Sequence, residues 1–225
     1  MKNIPAYLFL YLFLLSACGP ATPAATPVTL RLQYTAATRP WLADLYTCAG
    51  RNVVDAQLVS ADTMDVNTAD FTMRIGETPH MSSPTYQIGT DSLEVIANPQ
   101  NLLKQLNLEQ VQEIFTGRIQ NWKDLQGPDA PVEVWVFASG EDVEQLFEQT
   151  GLGGSPVTSL ARLAVSPDEM AEAIAGDANA VGILTKAWKA EGVSNLLTIA
   201  TEPVLVSTPV EPQGAVLQII NCLQK

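Results

Sequence analysis

From Val28 onward, apolar and polar positions along the chain follow two rhythms. Val28–Tyr34 alternates apolar and polar residues, the pattern of a half-buried strand. Further strand candidates are 55–59, 70–75, 93–97 (closed by Asn98 and Pro99), 132–137, 181–184, 196–200 and 204–207. The helical rhythm occupies the stretches between them. Residues 40–49 place Trp41, Leu42, Leu45 and Tyr46 for one face, with Pro40 suited to the first turn. Residues 108–115 form a short helix stopped by Gly117 and followed by a turn at Asn121 and Trp122. Residues 140–149 form another, with Ser139 as its N-cap and Val143, Leu146 and Phe147 inward. Ser166 and Pro167 open a helix to Ala175, with Asp168 and Glu169 in its favourable first turn. The last helix, 212–223, carries Val216, Ile219, Ile220 and Leu223 as an apolar stripe. Strands alternating with helices of this length predict an α/β fold with largely parallel sheets, and no internal repeat is visible.

The first residues follow neither rhythm. Lys2 precedes an apolar tract from Ile4 to Leu15, too short for the roughly 20 residues of a membrane-spanning helix and suited to a secretory signal. The tract ends in Leu15-Ser16-Ala17-Cys18, which resembles a bacterial lipobox, in which the cysteine is lipidated and becomes the mature N-terminus; the alternative is an ordinary secretory signal. Residues 19–27 are Pro, Ala, Thr and Gly, an extended spacer with no apolar face to bury. The expectation is an exported, lipid-anchored protein facing the periplasm or cell exterior.

Composition narrows the function classes. The 225 residues hold 24 acidic and 12 basic side chains, a formal charge of -12, with 47% apolar and 16% charged residues. That balance excludes charge-driven disorder, and scattered basic residues do not supply a nucleic-acid grip. Cleavage before Cys18 removes Lys2 alone among the charges, leaving a mature chain more acidic still and disfavouring adhesion of the folded body to anionic lipid. Of three cysteines, an acylated Cys18 cannot form a disulfide. Cys48 and Cys222 remain, either as a bridge, which an exported context permits, or as two separate buried thiols. No C-x-x-C spacing points to zinc or to a redox pair.

Residues 108–125, LEQVQEIFTGRIQNWKDL, resemble a segment of the phosphate-binding-protein-like family, the extracytoplasmic solute-binding subunits of phosphate ABC importers and their relatives. Ile114, Phe115, Gly117, Ile119, Trp122 and Leu125 carry the match. Tyr86–Gly89 through Val95–Pro99 is similar to the family's crossover segment, and Ala178–Leu184 to one of its strands. The resemblance implies a type II periplasmic-binding-protein-like architecture, two lobes with a cleft and crossover strands. Lobe one would be 28–90 plus 207–225, and lobe two 91–206. It also implies a small-molecule ligand, an anion among the candidates, an ABC permease as partner, and a monomer without cofactor. Return of the C-terminal helix to lobe one would bring Cys222 near Cys48.

The resemblance marks two loops for anion binding through backbone N–H groups and hydroxyls. In the first, Thr35-Ala36-Ala37-Thr38-Arg39, the contacts would be Thr35, Thr38 and Arg39. In the second, Ala138-Ser139-Gly140-Glu141-Asp142, Ser139 and Gly140 match, but Glu141 replaces a threonine and Asp142 follows. Two like charges at close range repel by about 4 kcal/mol at an intermediate dielectric, which argues against tight phosphate binding. Arg74, in a predicted strand near the cleft edge, is a further candidate, suited to pairing an anion bidentately. Nothing points to catalysis or a metal: His80 is the only histidine, and no nucleophile elbow, H-E-x-x-H helix, Walker loop or calcium-loop spacing is present.

Overall fold

The structure, a computed structural model, describes residues 27–52, 54–60, 65–77 and 83–225. The expected signal segment, Cys18, most of the spacer and His80 lie outside the described residues.

The strands are β1 (Val28–Tyr34), β2 (Val54–Ser60), β3 (Phe71–Ile75), β4 (Thr85–Ala97), β5 (Glu133–Phe137), β6 (Arg162–Ala164), β7 (Ala180–Thr185) and β8 (Ser194–Ser207). The helices are α1 (Leu42–Arg51), α2 (Leu108–Phe115), α3 (Asp142–Leu146), α4 (Pro167–Gly176) and α5 (Gly214–Leu223). One sheet takes the order β2-β1-β3-β8-β4-β7-β5-β6. Its flanks are parallel, as the alternation of strands and helices predicts, but β3, β8, β4 and β7 are mutually antiparallel neighbours. The sheet is therefore mixed. The reason is that two long strands, β4 and β8, run in opposite directions through its centre.

β8 joins segments that read separately in the sequence. Thr90, Asp91 and Ser92 lie inside the crossover segment that the resemblance marks between Tyr86 and Pro99, and they pair with Pro203, Glu202 and Thr201 without interruption. Pro203 has no N–H to donate and is disfavoured in a central strand. Here its carbonyl accepts from Gly76 N at 2.9 Å, just past the end of β3.

The register fixes where a cleft lies. β3 ends at Ile75, which faces Val204, itself opposite Gly89 of β4. From the other end of β4, β7 terminates at Thr185 opposite Leu93. The carboxyl ends of the two half-sheets thus face each other across four residues of β4, about 13 Å at ~3.3 Å per residue. In open α/β sheets, the space outside strand carboxyl ends is where ligands bind.

Packing explains the distinctive 108–125 segment. Val111, Ile114, Phe115 and Trp122 are fully buried, and the Trp122 Nε1 donates to Asn179 O at 3.0 Å. Phe115 meets Phe147 edge-on with centroids 4.6 Å apart, joining α2 to the turn that continues α3. The motif builds the core of one half-sheet and does not reach the cleft. On the other half, a disulfide joins Cys48 of α1 to Cys222 of α5.

Candidate functional site

The loops at the carboxyl ends of the strands meet across the cleft. After β1, Thr35 leads into a 3-10 turn over Ala36–Trp41. Residues 40–49 are therefore not one α-helix: the tight turn comes first, and α1 begins at Leu42. Thr38 is held inward, its Oγ1 donating to Thr35 O at 3.0 Å and lying 3.3 Å from Met73 O. Thr35 and Thr38 are both buried.

The opposite wall is built by β5 and α3. Ser139 is not the N-cap expected from the sequence. The chain passes through Ala138, Ser139 and Gly140, with Gly140 at φ +109, and α3 starts at Asp142 with Glu141 as its N-cap residue. Ser139 and Gly140 are exposed. The delay has a visible consequence, since it turns Asp142 into the cleft.

Asp142 is the centre of the site. It is 2% exposed. Its Oδ2 accepts from the Thr35 hydroxyl at 2.7 Å and from the Ile75 amide at 3.0 Å, and its Oδ1 accepts from the Val143 amide at 3.0 Å. Two of these three donors belong to the half-sheet across the cleft. Burial pushes its carboxyl above the usual range, opposed by those hydrogen bonds and by the charge of Arg74. Arg74, beside Ile75 in β3, is half-buried. Burial lowers its guanidinium from the ordinary arginine value, with the Asp142 charge opposing, and its Nε has no hydrogen-bond partner among the described residues.

A second contact crosses the cleft at its rim. Arg39 Nη2 lies 2.7 Å from Asp168 Oδ2 at the start of α4, and the guanidinium stacks 4.3 Å from the Trp188 ring centroid. Asp168 follows Pro167, and Ser166 caps the helix by accepting from Glu169 N at 3.2 Å. Between the two contacts remains a narrow cavity of about 10 Å3, room for about one water, walled by Ala36, Ala37, Phe137, Val143, Val165 and Pro167 together with Glu141 and Ser166.

Of the residues singled out in the sequence, Thr35, Thr38 and Arg74 therefore gather around one buried carboxylate. Arg39 stands at the rim in an ion pair, and Ser139 and Gly140 stay on the outside of the α3 entry. Asp168, Trp188 and the Ile75 amide carried no signal in the sequence, because each joins the site only through the pairing of distant strands. Asp142 was legible as a charge near the anion loop but not as a buried acceptor. Among the described residues, no group of three or more His, Cys, Asp or Glu side chains could hold a metal ion, and no helix is long and apolar enough to cross a membrane.

Known structures share the fold. A Clostridium perfringens protein described as a phosphate ABC transporter substrate-binding protein, with phosphate bound, superposes with a TM-score of 0.80 at 17% identity, over 87% of this chain and 92% of that one. An ABC-type phosphate transport receptor from Vibrio cholerae follows at 0.68 and 16% identity, over 87% and 93%. The effector domain of the transcriptional regulator AmpR of Pseudomonas aeruginosa reaches 0.56 at 16% identity, over 88% and 94%. At these identities the likeness shows the fold, the type II periplasmic-binding-protein-like arrangement of two lobes, a cleft and crossover strands. The sequence itself settles the family: residues 81–219 match the model of a PBP superfamily domain, and the chain belongs to that superfamily.

Proposed function

We propose that the protein is an extracytoplasmic solute-binding lipoprotein, anchored through Cys18 and held off the membrane by residues 19–27. Lobe one is 28–90 plus 207–225 and lobe two 91–206, and a small solute is captured between them by closure about β4 and β8. The chain works as a monomer without cofactor and hands its solute to an ABC permease. The observation that carries this reading is the cleft contact itself: Thr35 and Ile75 from one half-sheet meet Asp142 from the other at the carboxyl ends of their strands. The Clostridium and Vibrio structures, described as phosphate-transport binding proteins, support capture of a small solute as the role.

A second reading has its own support. The Thr35 hydroxyl and the Ile75 amide already hold a carboxylate of the same chain. A sensory or interaction lipoprotein, using the fold without a transported solute, fits that closure, and the effector-domain likeness shows that the fold is not confined to transport.

Calorimetry of the purified protein with phosphate, other small anions and neutral solutes separates the readings. Heat of binding with domain closure by small-angle scattering supports solute capture. Silence across the panel removes the transport reading and leaves the second.

A further inference from the structure

Three donors converge on the Asp142 carboxylate: the Thr35 hydroxyl, the Ile75 amide and the Val143 amide, at 2.7, 3.0 and 3.0 Å. Arg74 adds positive charge from the residue next to Ile75. The hydroxyl and backbone amides form a donor set for a small oxyanion with the Arg74 charge beside them, and these donors would be costly to bury with nothing to accept from them. A carboxylate presents the same negatively charged oxygens as a free anion, but it is supplied by α3 and cannot diffuse away. Its position is built: the side chain is 2% exposed, and the entry to α3 is delayed until Asp142 faces across the cleft.

We propose that Asp142 is an intramolecular ligand, filling the anion subsite of the cleft and determining specificity by excluding free phosphate. The inference rests on the reading of this cleft as the solute site and deepens it. The effect is stronger than a repulsive charge at the edge of the site. A phosphate would have to displace a carboxylate whose acceptors are already satisfied and whose local concentration is fixed by the chain.

The test is a gain of binding. Asp142→Gly removes the carboxylate and leaves Thr35, Ile75, Val143 and Arg74 in place. Inorganic phosphate is titrated by calorimetry into wild type and variant, with thermal unfolding followed at the same concentrations. The expected result is at least tenfold tighter phosphate binding by the variant, a rise in its Tm with phosphate that wild type lacks, and a more open particle by scattering until phosphate is added. Asp142→Ser, which keeps a short polar side chain at the start of α3, carries the same expectation if the glycine variant folds poorly. Wild type binding phosphate as tightly as the variants overturns the inference while upholding solute capture. Phosphate leaving both variants unbound and unstabilised overturns it as well. Failure of the solute reading is registered separately, by wild type ignoring the whole anion and neutral-solute panel.

Discussion

The indole of Trp41 lies against the backbone of Gly89, filling the space that a side chain at position 89 would occupy. Gly89 is the residue of β4 opposite Val204, at the edge of the stretch that separates the two half-sheets. The turn that carries Thr35, Thr38 and Arg39 is thereby seated on the crossover strand. A Cβ at 89 forces the indole outward, and overpacking of this kind costs about 1–3 kcal/mol. Gly89→Ala is expected to lower thermal stability by that amount in the wild type and by clearly less in a Trp41→Ala background. Equal stability of wild type and the single variant would show that the seat is soft.

The Cys48–Cys222 bridge spans 174 residues of sequence and joins α1 to α5. In the loop-entropy account, a cross-link this long strongly restricts the unfolded chain, and removing a native disulfide typically costs about 2–5 kcal/mol. The Cys48→Ser, Cys222→Ser double variant is expected to unfold at lower denaturant, and the intact wild type to gain two hydrogens in mass on reduction. An unchanged mass refutes the bridge.

Glu144 is buried, its Oε2 accepting from Phe137 N at 2.9 Å. Burial pushes its carboxyl up to about 7, with Glu148 adding to the rise and the Phe137 hydrogen bond opposing it. The folded state therefore holds this proton more tightly than the unfolded chain. The associated stability is fully present below about pH 4.5 and is lost as pH rises to about 7. The loss is of the order of 3 kcal/mol for this group. Glu144→Gln is expected to flatten the fall in unfolding free energy across that window, measured by chemical denaturation from pH 4.5 to 8. Parallel profiles for the two proteins contradict the assignment.

Arg39 and Asp168 form an exposed pair, with side chains 48% and 52% exposed. Such pairs contribute under about 1 kcal/mol and weaken with salt. The stacking of Arg39 on Trp188 adds a similar amount. Double-mutant cycles are expected to give an Arg39–Asp168 coupling that shrinks between low and high salt, while the Arg39–Trp188 coupling changes less. A coupling of several kcal/mol at either pair would make the rim, rather than Asp142, the main closure contact.

Much of the fold was legible because it rests on local rules. α2 falls at 108–115, where apolar spacing and Gly117 place it, and α4 starts at Pro167 after the Ser166 cap. The strands β1, β2, β3, β5 and β7 lie within a residue or two of their apolar runs. β6 escaped notice, since three residues with two exposed side chains leave no apolar rhythm. The continuity of β8 also escaped notice, and that of β4 was legible only through the crossover segment the resemblance implies. Pro203 reads as a break in side-chain terms, whereas the ladder that carries it through is made by the backbone.

The sequence by itself determined the superfamily, the α/β composition, the two cysteines available to pair, and the loops after β1 and β5 as the chemically interesting ones. The α/β composition follows from periodicity and capping chemistry, whereas the superfamily and the two loops follow from the resemblance carried by a distinctive core motif, and all of these act over short stretches of chain. Only the tertiary structure decided what those loops do. Thr35 and Asp142 are 107 residues apart and meet because two half-sheets turn their carboxyl ends toward each other across β4. Whether a carboxylate repels an anion or takes its place depends on burial and on which donors point at it, and both are properties of the folded chain.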